Sequence, residues 1–268
     1  MIKTSKIPDG KQWAEQFAQS ISKGMRTNFY ASAEDFFPLL EEGRISQAVF
    51  PGGSYCFVEK ENQIDFYFFL EKEAAPAEVP KLDKPLVLEQ VALAKTGTSP
   101  ALEEWETMGF AKYLQRKRLF LSAQKTETEQ RIISFCKEEE AETILGMMEE
   151  AFEPYTSALP DLETLRKDLA GCRVIAAREG ETLLGFLRFG REKKVSALRQ
   201  LVIAPEGRGR GLGEGLMRDC IALERAEVSK FQLWVREDNL PAIKLYEKLG
   251  FLPDGRIAPV MIRKNSRQ

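Results

Sequence analysis

A twelve-residue segment occurs twice in the chain, and this repeat restricts the possible architectures more than any other feature. Residues 99–110 (SPALEEWETMGF) align without gaps on residues 240–251 (LPAIKLYEKLGF), at an offset of 250 − 109 = 141 positions. Five of the twelve positions are identical, and the Leu/Ile, Trp/Tyr and Met/Leu pairs keep their apolar or aromatic character. A chance likeness between two helix ends is the alternative, but duplication also accounts for the length of the chain. We therefore predict two related domains, residues 1–126 and 127–268.

The length, the composition and one polar stretch agree with two domains. The chain has 268 residues, which is more than one compact domain usually contains. Hydrophobic residues make up 43% of the chain and charged residues 30%, a balance that supports buried cores with a solvated surface. Residues 123–130 (AQKTETEQ) are polar and are the best candidate for the linker.

The charge balance and the apolar runs limit the partners and the location that we expect. Lysine and arginine number 39 against 41 aspartate and glutamate residues, so no overall field attracts nucleic acid or an anionic membrane. Residues 1–24 lack the uninterrupted apolar run of a signal peptide, and no later stretch reaches membrane-spanning length. We expect a cytoplasmic protein with no nucleic-acid or membrane partner, and the oligomeric state is left open.

The chain contains no histidine, which excludes several kinds of active site. Ser-His-Asp and Cys-His catalysis both require an imidazole, and only carboxylate or cysteine ligands remain for a metal. Its four cysteines lie far apart without a CxxC pair, which disfavours a zinc knuckle and a disulfide framework. We therefore expect buried cysteines, no metal, and a mechanism without imidazole.

The order of predicted strands and helices favours a mixed α/β fold. Apolar residues alternate or recur at helical spacing in both halves of the chain. In the first half we predict strands at 48–58, 64–70, 86–94 and 113–122, with helices at 10–23 and 99–108. In the second half we predict strands at 131–135, 173–177, 182–189, 195–203, 231–235 and 257–262, with helices at 138–152, 161–169, 212–225 and 241–249.

A loop rich in glycine and arginine is the first candidate for a ligand site. Residues 208–213 (RGRGLG) follow a predicted strand and begin a predicted amphipathic helix. Glycines allow a positive φ and a close approach to a ligand, and the first N–H groups of a helix have no partner within it. These groups lie at the positive end of the helix dipole, so the loop suits a pyrophosphate, with added charge from Arg208 and Arg210. Neither the Rossmann nor the P-loop spacing is present. A purely structural glycine-rich turn is the alternative.

A second motif follows this loop, and the two together resemble a known family. Residues 233–235 (LWV) end a predicted strand, and Asn239, Tyr246 and residues 250–251 (GF) follow it. A strand, a proline, RxxGxG at a helix start, and then Asn-x-x-Ala-x-x-x-Tyr-x-x-x-Gly-Phe resemble the GNAT superfamily of N-acetyltransferases. The resemblance covers residues 131–264, and it implies a GNAT fold with a mixed sheet, in a tandem two-domain arrangement.

The resemblance implies a site for acetyl-CoA as cosubstrate. One strand edge is expected to pair with the pantetheine arm, and the loop and helix start are expected to bind the pyrophosphate. The residues concerned are Leu201, Val202 and Ile203 in the strand, Arg208, Gly209, Arg210, Gly211, Leu212, Gly213 and Glu214 in the loop, and Asn239, which contacts the cofactor arm. Asn239 is also a candidate N-cap of the next helix. Tyr246 matches the tyrosine whose hydroxyl protonates the departing thiolate, and its alternative role is an aromatic packed under the sheet.

The implied reaction is direct attack of a neutral amine on the thioester carbonyl, with the oxyanion held by a backbone N–H near Ile203. A lysine-like amine has a reference pKa of about 10.4, so a base or a water chain has to deprotonate it. Relatives that acetylate protein N-termini have a glutamate where this chain has Trp234, which puts that substrate class in doubt. The remaining candidates for the base are Glu149, Glu150, Glu153 and Tyr155, although acidic residues there commonly form a solvated helix face.

The first half keeps the repeated segment but not the residues that the chemistry needs. Trp105 stands in place of the tyrosine and Thr98 in place of the asparagine, and no RxxGxG precedes them. We therefore predict a degenerate GNAT-like domain at 1–126 that does not bind CoA, and a catalytic domain at 127–268.

The expected function is acetyl transfer from acetyl-CoA to a primary amine of a small molecule, an amino acid or a peptide. The alternative is a catalytically silent module that senses CoA or binds a partner. Transfer of a longer acyl group and the identity of the acceptor are left open.

Overall fold

The computed structural model describes residues 4–7, 24–29, 37–93, 102–125, 133–156 and 159–264. The helix predicted at 10–23, the position of Thr98 and most of the predicted linker lie outside these residues. The described part of the chain has the predicted mixed α/β fold, with parallel and antiparallel strand pairs, and it contains six α-helices. None of the helices in this part is long and apolar enough to cross a lipid bilayer.

The strands and helices alternate along the second half and are less regular in the first. The strands are β1 (Ser5–Lys6), β2 (Arg26–Thr27), β3 (Ile45–Phe50), β4 (Gly53–Glu59), β5 (Ile64–Leu70), β6 (Leu86–Glu89), β7 (Ala92–Leu93), β8 (Ala111–Ser122), β9 (Val174–Glu179), β10 (Thr182–Glu192), β11 (Val195–Ile203), β12 (Lys230–Arg236) and β13 (Leu252–Arg263). The α-helices are α1 (Phe37–Glu41), α2 (Leu102–Thr107), α3 (Ala141–Ala151), α4 (Leu162–Ala170), α5 (Leu212–Glu224) and α6 (Leu240–Lys248).

Two of the predicted strands are wrong. Residues 48–58 form parts of β3 and β4, which pair antiparallel, and the chain reverses between them at Gly52. Gly52 has a φ of 82°, which costs a glycine little because it has no Cβ. The strand predicted at 131–135 is reduced, within the described residues, to one bridge between Phe135 and Ile175.

The chain divides into two compact units. The first unit contains Met1–Arg116 and Arg256–Gln268, and the second unit contains Lys117–Gly255. The units are therefore not two consecutive segments, because β13 ends in the first unit and β8 ends in the second. The predicted division of roles between residues 1–126 and 127–268 stays a prediction.

The first unit is built on a mostly antiparallel sheet with an aromatic core. Its strands follow the order β1-β3-β4-β5-β6, and the end of β13 pairs antiparallel with β6. Tyr55, Phe66 and Phe68 project from β4 and β5 and are fully or almost fully buried. They meet Trp105 of α2 with ring centroids 6.3, 5.4 and 4.7 Å from it, so the helix is fixed by aromatic contacts.

The second unit has helices on both faces of its sheet. The strand order is β12-β11-β10-β9, and the end of β8 lies next to β12. On one face, Ile144 and Met148 of α3 pack with Leu165 of α4. On the other face, Met217 of α5 and Ile243 of α6 belong to a second buried cluster. Both faces of this sheet are therefore buried, which explains the long apolar runs in its strands.

The repeated segment has the same local geometry in both copies. The N–H of Phe110 donates to the carbonyl of Trp105 at 3.1 Å, and the N–H of Phe251 donates to that of Tyr246 at 3.0 Å. The glycine before each phenylalanine has a positive φ, 85° in the first copy and 86° in the second. The two aromatic rings of each copy are almost equally spaced, with centroid distances of 6.1 Å in the first copy and 6.0 Å in the second. Within its described residues, the repeat is therefore one kind of helix end used twice.

Candidate functional site

The two central strands of the second unit diverge and leave a gap. β11 and β12 pair in parallel from Val195↔Lys230 to Leu198↔Leu233. Both strands continue beyond these pairs, β11 to Ile203 and β12 to Arg236. The end of β11 is therefore not paired with β12, whereas its other edge stays paired with β10.

A bulge in β11 coincides with the start of this divergence. On β10, Arg188 pairs with Gln200, but the next residue, Phe189, pairs with Leu198. Arg199 is therefore an extra residue in β11. A bulge bends its strand and increases the local twist, which accounts for the loss of pairing with β12 immediately after Leu198.

Beyond the bulge, every second residue of β11 directs its backbone N–H and C=O groups toward the gap. The N–H of Ala204 donates to the carbonyl of Leu184 at 2.8 Å, which directs Ala204 toward β10. Because successive residues of a strand point their backbone groups to opposite edges, Val202 also faces β10, whereas Leu201 and Ile203 face the gap. The side chain of Val202 packs with the α3 and α4 cluster. Of the three predicted strand residues, Leu201 and Ile203 thus offer N–H and C=O groups to a ligand.

The glycine-rich loop leads from β11 to the start of α5. Gly209 and Gly211 have φ values of 73° and 77°, and Gly211 is the N-cap of the helix. The N–H of Gly215 donates to the carbonyl of Gly211 at 3.0 Å, which closes the first turn. Three N–H groups come before this first hydrogen bond and have no carbonyl partner within the helix, those of Leu212, Gly213 and Glu214. The loop therefore provides N–H donors at a helix N-terminus.

Gly207 is a residue of this loop that the sequence did not single out. It is buried, and a Cβ there would lie 3.0 Å from a Leu212 methyl and 3.1 Å from the carbonyl of Leu184. A side chain at this position would therefore push the loop away from the strands. Only the position of a glycine just before the RGRGLG run could have suggested this role.

The charged side chains of the loop are engaged with neighbouring groups. Arg208 donates through Nε to the carbonyl of Ile203 at 3.3 Å. Arg210 forms an exposed ion pair with Glu179 at 2.6 Å, and this hydrogen bond lowers the pKa of the Glu179 carboxyl. Both arginines are positioned at the loop, where they add positive charge beside the helix N-terminus.

The Glu214 side chain is tied to two cations rather than to the loop. Its carboxylate accepts hydrogen bonds from Lys248 at 2.5 Å and from Arg218 at 2.9 Å. Both hydrogen bonds lower the pKa of the Glu214 carboxyl, and the one from Lys248 has the larger effect. Any contact of Glu214 with an anion therefore comes from its backbone N–H.

Asn239 caps α6. Its Oδ1 accepts a hydrogen bond from the N–H of Ala242 at 3.3 Å. The capping role predicted as one alternative is therefore present. It uses the side-chain oxygen, and a contact to a cofactor arm would use the Nδ2 donors of the same amide.

Tyr246 is buried on the face of α6 that packs on the sheet. Its side chain is 9% exposed and belongs to the apolar cluster that also contains Phe251. Burial raises the pKa of its hydroxyl to about 12, so the group is protonated throughout the neutral range. A protonated hydroxyl can donate a proton but cannot act as a base at neutral pH.

The candidate bases differ in their surroundings. The Glu153 carboxylate accepts hydrogen bonds from the N–H of Tyr155 at 2.9 Å and of Thr156 at 3.0 Å, and also from the Thr156 hydroxyl. It therefore shapes the loop after α3. Glu149 and Glu150 are exposed on α3.

Trp234 lies at the point where the strands diverge. It follows Leu233, the last residue of β12 that pairs with β11, and its side chain points away from the cluster that contains Leu233. The guanidinium of Arg118 lies 5.8 Å from the centre of the Trp234 ring, and its Nε donates to Asp254 at 2.7 Å. Sequence reasoning missed Arg118 and Asp254 because they are 136 positions apart.

A buried arginine supports the bulge from the opposite strand. Arg188 is 2% exposed, and its Nε donates to Asp168 of α4 at 2.6 Å. Its Nη1 donates to the side-chain oxygen of Gln200 at 2.9 Å. Gln200 follows Arg199, so this network connects α4 with the start of the diverging part of β11. The sequence contains no local signal for it.

The comparisons with known proteins agree with this geometry. A family model described as "Acetyltransferase (GNAT) family" matches residues 132–251. A protein of Bacillus subtilis (strain 168), named as a candidate ribosomal protein bS18-alanine N-acetyltransferase, is 39% identical over 69 residues. These residues are 25% of this chain and 42% of that protein, so the match spans less than half of the relative's length.

Two solved structures share the fold over nearly the whole chain. A GCN5-related N-acetyltransferase from Sphaerobacter thermophilus has a TM-score of 0.64 at 16% identity, with 98% of this chain and 95% of that chain covered. A tandem GNAT protein from the clavulanic acid biosynthesis pathway has a TM-score of 0.61 at 13% identity, with 100% of both chains covered. At these identities the likeness concerns the fold alone. Residues 132–251 thus belong to the GNAT acetyltransferase family, within a chain that has the tandem GNAT fold.

Proposed function

We propose that the second unit transfers an acetyl group from acetyl-CoA to a primary amine of a small molecule, an amino acid or a peptide. The observation that carries this proposal is the gap between β11 and β12, which begins at the Arg199 bulge. It has two parts that suit a CoA thioester: a strand edge with backbone donors and acceptors, and a helix N-terminus approached through glycines. GNAT acetyltransferases use acetyl-CoA as cosubstrate, and the match covers both parts.

Acetyl-CoA fits these parts by its own chemistry. The amide groups of its pantetheine arm are complementary to the N–H and C=O groups of Leu201, and the N–H of Ile203 is left for the thioester carbonyl. The pyrophosphate is complementary to the N–H groups from Gly209 to Glu214, with Arg208 and Arg210 nearby. The Nδ2 donors of Asn239 are proposed to bind the arm, while its Oδ1 caps the helix.

The proposed reaction is a direct displacement in a ternary complex. The amine nitrogen forms a bond to the thioester carbonyl carbon, the oxyanion accepts a hydrogen bond from the N–H of Ile203, and the C–S bond then breaks. Tyr246 donates its proton to the leaving sulfur, and the proton lost by the amine passes to a base or to water. The raised pKa keeps the Tyr246 hydroxyl protonated at neutral pH, which is the state that a proton donor needs.

The proposed class of acceptor rests on the residues near the point where β11 and β12 diverge. The relative's name refers to an alanine of a ribosomal protein, but Trp234 stands where N-terminal acetyltransferases of this family have a glutamate. We therefore keep small amines, amino acids and short peptides as the acceptor class. Two observations also favour the second candidate, a module that binds CoA without turnover. Trp234 occupies the position that holds the base in those relatives, and the carboxylate of Glu153 already accepts hydrogen bonds from its own loop.

A thiol-release assay separates the two candidates. Acetyl-CoA is incubated with amines, polyamines, amino acids and short peptides, and free CoA is detected with a disulfide reagent. Release that depends on one class of amine is the expected result. CoA binding in calorimetry without release for any acceptor would replace the transferase by the silent module.

A glycine-to-alanine pair tests the pyrophosphate loop. Gly211→Ala is expected to weaken CoA binding and to lower the free energy of unfolding by about 1–2 kcal/mol, because an L-residue is strained at this positive φ. Gly180→Ala is the matched control: its φ is 58°, and a Cβ at either position meets no atom within 4 Å. Both variants are expected to lose similar stability in denaturant unfolding, but only Gly211→Ala is expected to lose CoA affinity in calorimetry. Equal affinities would exclude the loop from the site.

A further inference from the structure

The first unit contains a second pair of diverging strands. Parallel pairs join β5 to β6 only at Ile64↔Leu86 and Asp65↔Val87, although β5 continues to Leu70. The opposite edge of β5 is paired with β4 along its whole length. The edge of residues 66–70 that faces away from β4 is thus the counterpart of the β11 edge that faces the gap in the second unit.

A segment of the chain itself covers this edge. We call residues 26–29 the inner segment. Its strand β2 pairs antiparallel with the end of β5, with Arg26 opposite Leu70 and Thr27 opposite Phe69. Because β4 occupies one edge of β5, this pairing uses the edge that the divergence from β6 leaves. The inner segment therefore lies where a pantetheine arm would have to pair.

The side chain of Asn28 joins both diverging strands. Its Nδ2 donates to the carbonyl of Phe66 in β5 at 2.9 Å and to the carbonyl of Glu89 in β6 at 3.0 Å. Its Oδ1 accepts from the N–H of Phe68 at 2.9 Å. Asn28 is 3% exposed, so these bonds are shielded from water. A primary amide thus supplies the donors and the acceptor that an amide of a bound ligand would supply.

Both ends of the inner segment are anchored. The Phe29 ring is 2% exposed and lies 5.1 Å from the Tyr67 ring, measured between centroids. Arg26 donates to the carboxylate of Glu104 in α2 at 2.9 Å and to the carbonyl of Ala74 at 2.7 Å. Displacement of the segment would therefore break apolar, ionic and backbone contacts together.

The first unit also differs from the second after the diverging strand. Residues 71–85 follow β5, are all described, and contain no helix. In the second unit the corresponding position leads into the glycine-rich loop and α5. The first unit therefore offers no helix N-terminus for a pyrophosphate at this point of the chain.

We infer that the inner segment is a built-in substitute for the ligand arm and closes the first unit to CoA. The groove of the first unit is filled by residues 26–29, with Asn28 as its central contact, and each chain binds one CoA, in the second unit. The number of CoA molecules rests on the proposed function of the second unit, whereas the role of Asn28 does not.

Hydrogen exchange tests the role of Asn28. Asn28→Ala removes the acceptor of the Phe68 N–H and the donor to the carbonyls of Phe66 and Glu89, so the Phe68 amide is expected to exchange about tenfold faster or more. Asn62→Ala, in the exposed turn before β5, is the control and is expected to leave exchange unchanged. Unchanged exchange at residues 66–70 in Asn28→Ala would overturn the inference.

The number and place of bound CoA molecules test the closure in the unmodified protein. Calorimetry is expected to give one CoA per chain, and excess CoA is expected to slow hydrogen exchange at residues 201–214 but not at residues 64–70. Two CoA molecules per chain, or slowed exchange at 64–70, would overturn the inference. No binding at all would overturn the proposed function instead, and the Asn28 experiment would still decide the role of the inner segment.

Discussion

Tyr246→Phe is expected to lower kcat by about 10²–10⁴ while CoA affinity and stability stay close to those of the unmodified protein. The substitution removes only the hydroxyl, and the ring that packs in the cluster with Phe251 is retained. The effect falls on kcat because proton donation to the sulfur is needed only as the C–S bond breaks. Steady-state kinetics, CoA calorimetry and thermal unfolding measure the three quantities.

The pH dependence gives a second check on the same residue. Because burial raises the pKa of Tyr246 to about 12, the hydroxyl is protonated at every pH below that value. The rate is therefore expected to rise with pH as the amine loses its proton, without a fall caused by Tyr246 between pH 7 and about pH 10. Tyr113→Phe, in the first unit, is the control and is expected to leave kcat unchanged. An unchanged kcat in Tyr246→Phe would leave Tyr246 as a packed aromatic only.

Arg188→Met is expected to lower the free energy of unfolding by about 3 kcal/mol. Removal of one partner from a buried ion pair costs about 3–5 kcal/mol, and the partial exposure of Asp168 favours the lower end. The substitution also leaves the Gln200 side-chain oxygen without the donor from Arg188 beside the bulge, so the KM for acetyl-CoA is expected to rise. Denaturant unfolding and steady-state kinetics measure the two effects.

The Arg178–Glu140 pair provides the matched control. It is also partly buried, with a distance of 2.5 Å, but it joins β9 to the single helical turn at Glu138–Glu140 rather than to the bulge. Arg178→Met is therefore expected to lower stability without a comparable change in KM. If both variants raise KM by the same factor, the effect of Arg188 comes from general destabilisation and not from the position of β11.

Local patterns were sufficient for most helices, for the loop and for the repeat. The helix predicted at 161–169 forms as Leu162–Ala170, and the Asp161 side chain accepts a hydrogen bond from the N–H of Thr164 at 2.7 Å. The strand predicted at 195–203 has the observed limits. Such elements were predictable because caps and periodic apolar residues lie within a few positions of each other.

The remaining features depend on contacts between distant residues. The reversal at Gly52 is hidden in a continuous β-rich run, so 48–58 was predicted as one strand. The Arg199 bulge is defined by its pairing with β10, and Asn28 contacts residues 38 and 61 positions away. Neither partner carries a local signal of the other, because side-chain periodicity records a buried face but not the strand that covers it.

The exchange of strand ends between the two units affects how the chain can fold during synthesis. The first unit contains residues 256–263, of which 260–263 pair with β6, and they are made after the whole second unit. The second unit needs residues 117–122, where Leu119 and Leu121 enter its core. Translation can therefore complete neither unit as an independent N-terminal domain, and contacts of such long sequence separation slow folding. A ribosome-bound chain that stops at residue 126 is expected to expose the uncovered edge of β6 and to depend on chaperones until β13 emerges.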